Sequence, residues 1–408
     1  MQINKYLLLV FMFLALTARA QNEKSIQVKP GIDVLLQEKM DLIRGKRLGL
    51  ITNPTGITAN LTGTIDTLYR HPDVNLVALF GPEHGVRGNI IAGKQIENFR
   101  DEQTGLPVYS LYGKQKKPTP EMLKDIDVLV FDIQDIGSRA YTYINTMAYA
   151  IQAAQENHIP ILVLDRPNPL GGELVEGPML EPAFKSFIGL YEIPYIYGLT
   201  IGELAAFINT EFNINADLTV IPMQGWRRSM TFADTGLPWA PTSPHVPQAQ
   251  TPFFVATTGC LGELQTIHGG VGYTLPFELL GGPWIDGRQL ADSLNALALP
   301  GVHFRPLYYS PFYFSFQNQQ IQGVQIHITD TKAYRPMLTQ IHILVTLHKL
   351  YPQQELFPAE HIAMFDRAMG TDRVRLQILE NDDADVIYQN LTEKLANYLT
   401  TREKYLLY

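Results

Sequence analysis

A single cysteine, Cys260, stands among 408 residues. No disulfide within the chain can brace the fold, so packing alone must stabilise it. A lone cysteine reads as a small buried hydrophobe; the other reading is a catalytic thiol. Charge is scarce as well, at 18% of residues, which excludes long charged disordered tails. The formal charge is -8, and no basic run exceeds Lys114-Gln-Lys-Lys117, a solvated loop. Nucleic acid is therefore not an expected partner. Beyond the N-terminal segment no window approaches the eighteen or so apolar residues of a membrane helix. The serine-hydrolase elbow G-x-S-x-G is missing. The ten histidines show no H-E-x-x-H or similar ligand spacing, so no metal is expected. Gly88 to Gln95 approximates the phosphate-binding pattern G-x-x-x-x-G-K-[ST], but Gln95 replaces the magnesium-binding hydroxyl. No apolar strand directly precedes that segment, and His268-Gly-Gly-Val-Gly272 is not G-x-G-x-x-G. No nucleotide cofactor is expected from either.

An apolar content of 46% supports a sizeable core, and the length suits two or three domains. Residues 1–20 read as a cleavable export leader. Lys5 supplies the positive region, Tyr6 to Leu16 the apolar region, and Ala18-Arg19-Ala20 the small-residue cleavage site before Gln21. The expectation is a periplasmic mature protein with no membrane span after leader removal.

Residues 21–235 alternate strand-like and helix-like segments. Strands are expected at Arg47 to Thr52, Asn75 to Phe80, Asp127 to Phe131, Pro160 to Leu164 and Asp217 to Met223. Helices are expected at Leu61 to Arg70, Ser138 to Asn157 and Leu204 to Phe212, the last behind a capping box, Thr200-Ile-Gly-Glu203. The strands are near-continuous apolar runs, as in a parallel sheet buried on both faces. The fold class is therefore α/β, an open parallel sheet with its strand ends along one edge. Five prolines between Gly236 and Pro252 mark a long loop or domain joint. Residues 236–408 read as a smaller α+β domain, with a strand at Val324 to Thr329 and helices at Tyr334 to Leu350, Ala359 to Met369, Asp372 to Leu379 and Ala384 to Arg402.

Polar clusters follow three of the strands: Gly81-Pro-Glu-His-Gly85, Phe131-Asp-Ile-Gln-Asp-Ile-Gly-Ser-Arg139 and Leu164-Asp-Arg-Pro-Asn168. Open α/β sheets place their chemistry at the carboxyl ends of strands. Carboxylates gathered in one cleft shift one another's pKa values, which suits general acid catalysis. Glu83 is the expected acid, on a backbone held in a special conformation by its Gly-Pro and His-Gly neighbours. His84 is either part of the site or a turn residue. Of Asp132 and Asp135, one is expected to face the cleft. Arg139 either grips a substrate carboxylate or pairs with Asp135. Asn53 ends an earlier strand in similar style. Aromatic residues crowd Tyr308 to Phe316; core packing is one reading, a sugar-stacking face the other.

Several long motifs carry a family resemblance: Gly31-Ile-Asp33, Leu50-Ile-Thr-Asn-Pro-Thr-Gly56, Phe80-Gly-Pro-Glu-His-Gly85, Phe131 to Arg139, Leu164-Asp-Arg-Pro-Asn-Pro-Leu-Gly-Gly172, Val175-Glu-Gly-Pro178 and Tyr405-Leu-Leu-Tyr408. From Val28 to its end the chain resembles the exo-β-N-acetylmuramidases, a glycoside hydrolase family formerly known as a domain of unknown function. The resemblance implies a Rossmann-like N-terminal domain, a smaller C-terminal domain and a cleft between them. It also implies release of N-acetylmuramic acid from the non-reducing ends of peptidoglycan fragments, with the catalytic glutamate on Glu83. A Rossmann-like sheet does not by itself imply a dinucleotide.

The second carboxylate is open among Asp132, Asp135, Asp165 and Glu176, with substrate-assisted attack by the sugar's acetamido group as a variant. Asn53, Gln134, Arg139, Tyr141, Asp165, Arg166, Asn168, Glu176 and His245 are the expected substrate-binding residues. The chain departs from the family at residues 262–274, where a glutamate–arginine pair is missing, and at Tyr197, where many relatives carry histidine. The alternative reading is therefore a catalytically impaired saccharide-binding paralogue. A metal-dependent hydrolase using Glu83, His84 and nearby aspartates is a third class.

Overall fold

The computed structural model describes residues 28–88 and 98–408. The leader-like segment and all but the first residue of the Gly88 to Gln95 motif lie outside the described residues. The N-terminal lobe is built on a seven-stranded sheet. Its strands are β1 (Arg47–Thr52), β2 (Asn75–Gly81), β3 (Phe99–Arg100), β4 (Pro107–Ser110), β5 (Val128–Asp132) and β6 (Ile161–Leu164). Two further short strands, β7 (Glu176–Met179) and β8 (Pro194–Ile196), pair with each other, and β9 (Leu218–Ile221) completes the large sheet. The order is β3-β4-β2-β1-β5-β6-β9, with every pairing parallel except that of the edge strand β3.

The chain begins at the centre, steps outward through β2 to β4, then returns to β5 and steps out the other way. Its crossing point lies between β1 and β5, where Thr52 sits opposite Asp132. Such a reversal opens a crevice at the carboxyl ends of the strands. β5 and β6 are buried at every position, which explains the apolar runs Val128 to Phe131 and Ile161 to Leu164. Helices Tyr143–Glu156 and Ile201–Glu211 cover one face, and Gly31–Glu38 and Thr64–Arg70 the other. The capping box before Ile201 forms as expected, with both reciprocal hydrogen bonds present.

The first long helix starts at Tyr143, not at Ser138. Ser138 instead bridges Ile196, and the Arg139 N–H donates to the Tyr195 carbonyl. Pairing with β8 thus outcompetes helix propagation over residues 138–142.

The C-terminal lobe contains an antiparallel sheet of β10 (Leu279–Gly282), β11 (Val302–Tyr309) and β12 (Ile321–Ile328), in the order β10-β12-β11. Sequence analysis found β12 alone of these. β11 carries Pro306, which an edge strand accommodates because one side of its backbone makes no ladder bonds. The helix Thr251–Gly262 is buried on nearly all sides, so it shows no polar stripe by which to recognise it. The segment expected as one helix from Ala384 to Arg402 is two, Ala384–Glu393 and Ala396–Arg402.

Three polar residues, two of them fully buried, tie the lobes together. Glu176, at the start of β7, accepts from the Met337 N–H at 3.1 Å and from the Tyr388 hydroxyl at 2.7 Å. It thereby satisfies the N-terminus of helix Pro336–Leu350. Arg139 donates to the carbonyls of Pro178, Ile193 and Met369. Tyr408 donates to Asp165 at 2.6 Å and accepts from the Met223 N–H at 2.7 Å, so the chain's last residue returns to the first sheet. A further buried pairing lies within the N-terminal lobe, at the crossing point itself. Arg166 binds both oxygens of the fully buried Asp132, at 2.6 and 2.9 Å, and Thr64 donates to the same carboxylate at 2.5 Å.

Two predictions follow from these ties. Asp132→Ala strands a buried guanidinium, so unfolding in urea should show a loss of about 3–5 kcal/mol; a loss under about 1 kcal/mol would refute the pairing as a stabilising element. Burial raises the Glu176 carboxyl to about 7. A carboxyl raised on folding stabilises fully below its unfolded pKa, and that contribution is lost as pH rises through the folded value. Glu176→Gln removes the titration. Between pH 4.5 and pH 8 the variant should therefore gain on the parent by up to about 3 kcal/mol; a gap independent of pH contradicts this account.

Candidate active site

β2 ends at Gly81, and the chain folds back so tightly that a Cβ there would lie 3.0 Å from the Val86 nitrogen. The Gly85 N–H closes a turn onto the Pro82 carbonyl at 3.0 Å. His84, the third residue of that turn, has φ 70°, a left-handed conformation that costs a bulky side chain free energy. The turn is braced from behind. Arg87 pairs with Asp66 and Asp101, each at 3.0 Å. This geometry carries the half-buried Glu83 past the rim of the sheet.

The neighbouring strand β4 ends opposite Gly81, at Ser110. Two residues later Tyr112 places its hydroxyl in a hydrogen bond with Glu83. Burial and the Glu83 charge together raise this phenol to about 12, so it stays protonated and donates to the carboxylate. Sequence analysis missed Tyr112; the short apolar run Val108-Tyr-Ser-Leu111 ahead of it was the available signal.

A second wall comes from the start of helix Tyr143–Glu156. Tyr143 is buried, lies within electrostatic reach of Glu83, and donates to the Thr242 carbonyl at 2.6 Å. Tyr141 stacks edge-on against it with centroids 5.0 Å apart and bonds the Thr242 hydroxyl at 2.9 Å. Burial raises Tyr141 to about 12. Asn53 itself is set by an Asx turn in which its Oδ1 accepts from the Thr55 N–H at 2.9 Å. The third wall is the proline-rich joint and the other lobe. The His245 ring hydrogen-bonds the Tyr313 hydroxyl at 2.8 Å. Burial, and next the proximity of His84, depress the His245 pKa. Asn53, Glu83, His84, Tyr141 and His245 therefore share one crevice.

The other expected site residues are not gathered around Glu83. Asp132 is held by Arg166 and Thr64. Gln134 donates to the Asp135 and Pro167 carbonyls, and with Arg166, Thr55 and Thr58 it lines a narrow recess at the crossing point. Asp135 accepts from the Gly137 N–H at 2.7 Å and from the Tyr197 hydroxyl. Burial raises its carboxyl to about 7, but it is packed with Asn168 and Tyr197 where no open cavity exists. Asn168 bonds Leu199 and Leu170.

Asp165 accepts from Arg166 N–H, Gly202 N–H, Thr200 and Tyr408, and burial raises it to about 7. Glu176 serves the inter-lobe tie. Arg139 neither pairs with Asp135 nor reaches the crevice. It is buried against carbonyls, and desolvation lowers its pKa to about 10. The expected pool of carboxylates is thus replaced by phenols around one glutamate. The physical reason is burial: an acid in a parallel sheet's interior must take nearby donors. Cys260 is likewise sealed, its thiol pushed up to about 12, too high for a nucleophile. Among the described residues, no three His, Cys, Asp or Glu side chains gather as a metal site.

Comparison with known proteins shows which family the chain belongs to. The model described as exo-β-N-acetylmuramidase NamZ, N-terminal, matches residues 48–250, and its C-terminal counterpart matches residues 255–408. The peptidoglycan β-N-acetylmuramidase NamZ of Bacillus subtilis (strain 168) is 47% identical over 391 residues, covering 96% of this chain and 94% of that protein. Two solved DUF1343 family proteins of Bacteroides fragilis NCTC 9343 share the fold. One has a TM-score of 0.89 at 46% identity and the other 0.76 at 28% identity, each covering 94% of this chain and 99% of its own. Matched along both lobes, the chain belongs to the exo-β-N-acetylmuramidase NamZ family.

Proposed function

We propose that Glu83 is the general acid of an exo-acting glycosidase that releases N-acetylmuramic acid from the non-reducing ends of peptidoglycan fragments. The glycosidase activity is that of the family. The observation that carries the assignment to Glu83 is its position: a half-buried carboxylate on a strained turn past the sheet rim, bonded to Tyr112. Glu83 protonates the leaving glycosidic oxygen, and Tyr112 holds its carboxyl in place. Asn53, Tyr141, Tyr143 and His245 form the surrounding walls.

Asp132, Asp135, Asp165 and Glu176 are each committed to structural partners. This favours attack by the substrate's own acetamido oxygen over a protein nucleophile. The impaired-paralogue alternative is not favoured, because the chain is 47% identical to a peptidoglycan β-N-acetylmuramidase over 96% of its length. Among the described residues, no helix is long and apolar enough to cross a membrane. We place the mature protein in the periplasm on the leader pattern of residues 1–20.

Glu83→Gln should lower kcat on a muramic acid–hexosamine disaccharide by about 10²–10⁴-fold, with saccharide binding retained. Equal turnover by both proteins would remove Glu83 from the mechanism. Tyr112→Phe, losing one hydrogen bond, should lower kcat by about tenfold. The parent enzyme should cleave a chromogenic N-acetylmuramic acid glycoside and spare the N-acetylglucosamine analogue; the opposite preference would overturn the substrate assignment. N-terminal sequencing of the protein from a periplasmic fraction should begin at Gln21, and recovery of an intact Met1 from cytoplasm would refute export.

A further inference from the structure

The connection between β11 and β12 carries aromatic side chains into solvent. Phe312 and Phe314 are 58% and 64% exposed, and Tyr313 is exposed beside them. Phe314 has φ 63°, an unfavourable conformation for an aromatic residue. The loop is nevertheless held firmly. The Phe312 N–H donates to the Gly272 carbonyl at 2.7 Å. Gly272 has φ 100°, and a Cβ there would lie 2.2 Å from the Tyr313 carbonyl oxygen. The segment 262–274 is therefore the seat of this loop. The loop also adjoins the candidate active site: Tyr313 bonds His245, and the Phe314 ring centroid lies 6.3 Å from that of His245.

Beside Phe314 opens a cavity of about 610 Å³, lined also by Glu263, Gln265, His268 and Ser315 and by several glycines. That volume suits a small-molecule ligand. Among the described residues no lysine or arginine lines it, so it lacks the cations that a lactyl or peptide carboxylate would need. Burial depresses the pKa of His268, keeping it neutral. Aromatic surface next to amide and hydroxyl groups matches a neutral pyranose, which is apolar on its faces and polar at its edge.

Which ring it takes follows from the reaction. This step rests on the reading of Glu83 as the catalytic acid of an exo-acting enzyme. Such an enzyme holds one ring on the non-reducing side of the scissile bond. Any further ring-binding surface must serve the other side. We infer that Phe314 and the Glu263–Gln265–His268 cavity form the leaving-group subsite, which takes the uncharged N-acetylhexosamine released when the muramic acid is cut away.

The test compares the parent enzyme with Phe314→Ala and Gln265→Ala. Both positions are exposed, so folding is preserved. Two substrates are used: N-acetylmuramic acid β-1,4-linked to N-acetylglucosamine, and the 4-nitrophenyl β-glycoside of N-acetylmuramic acid, whose leaving group offers no sugar hydroxyl or acetamido group. In each variant the ratio of kcat/KM for the disaccharide over the nitrophenyl glycoside should fall by about fivefold, through KM. A ratio equal to the parent's in both variants overturns the subsite while leaving the Glu83 assignment intact. A loss that appears only when a stem peptide is attached to the muramic acid also overturns it, in favour of a peptide site. A parent enzyme inactive on both substrates overturns the reading of Glu83 and this inference with it.

Discussion

The burial of polar groups along the carboxyl edge of one parallel sheet governs this molecule. Most of the strand-end acids are sealed from water here: Asp132, Asp135 and Asp165 are all buried. Each acid or amide that the chain places there must find a donor within the protein. Asp132 finds Arg166 and Thr64, Asp135 finds Tyr197, and Asp165 finds Thr200 and Tyr408. Those partnerships lock the edge. Glu83 differs because the Pro82 to Gly85 turn carries it past that edge, where it stays half-buried.

The chemistry of the crevice follows from that difference. Its walls are phenols and amides, which position a substrate without adding a second negative charge. Tyr112 and Tyr141 are raised to about 12, so both remain hydrogen-bond donors at neutral pH. A glycosidase that borrows its nucleophile from the substrate needs one acid and a set of positioning groups. The crevice supplies that combination. The strain at His84 is sustained by the Arg87 pairs with Asp66 and Asp101, as over-determined strain at a functional turn requires.

The two lobes are joined by hydrogen bonds from buried polar side chains as well as by apolar contact. Glu176, Arg139 and Tyr408 each cross from one lobe or terminus to the other. Such directional contacts fix orientation, which apolar contact alone does not. Orientation matters here because His245 and Tyr313, from the joint and the C-terminal lobe, close the crevice that Glu83 opens.

Much was legible in the chain itself. Apolar runs identified β1, β2, β5 and β6 because burial demands them, and a shorter run marked the more exposed edge strand β9. Gly81, Pro82 and Gly85 marked a special turn because few other residues fit such backbone. Hence the α/β class and the turn that carries Glu83 past the sheet were readable from local rules. Tyr112 escaped because β4 is short, and the helix Thr251–Gly262 escaped because it lacks a polar stripe. The fates of Asp132, Asp135, Asp165, Glu176 and Arg139 were not readable at all. A carboxylate's sequence neighbours do not reveal which donor, dozens of residues away, will desolvate and bind it. Only the folded chain brings Arg166 to Asp132 and the final tyrosine to Asp165, and so decides which acids are sealed into the fold and which stands past the sheet's edge.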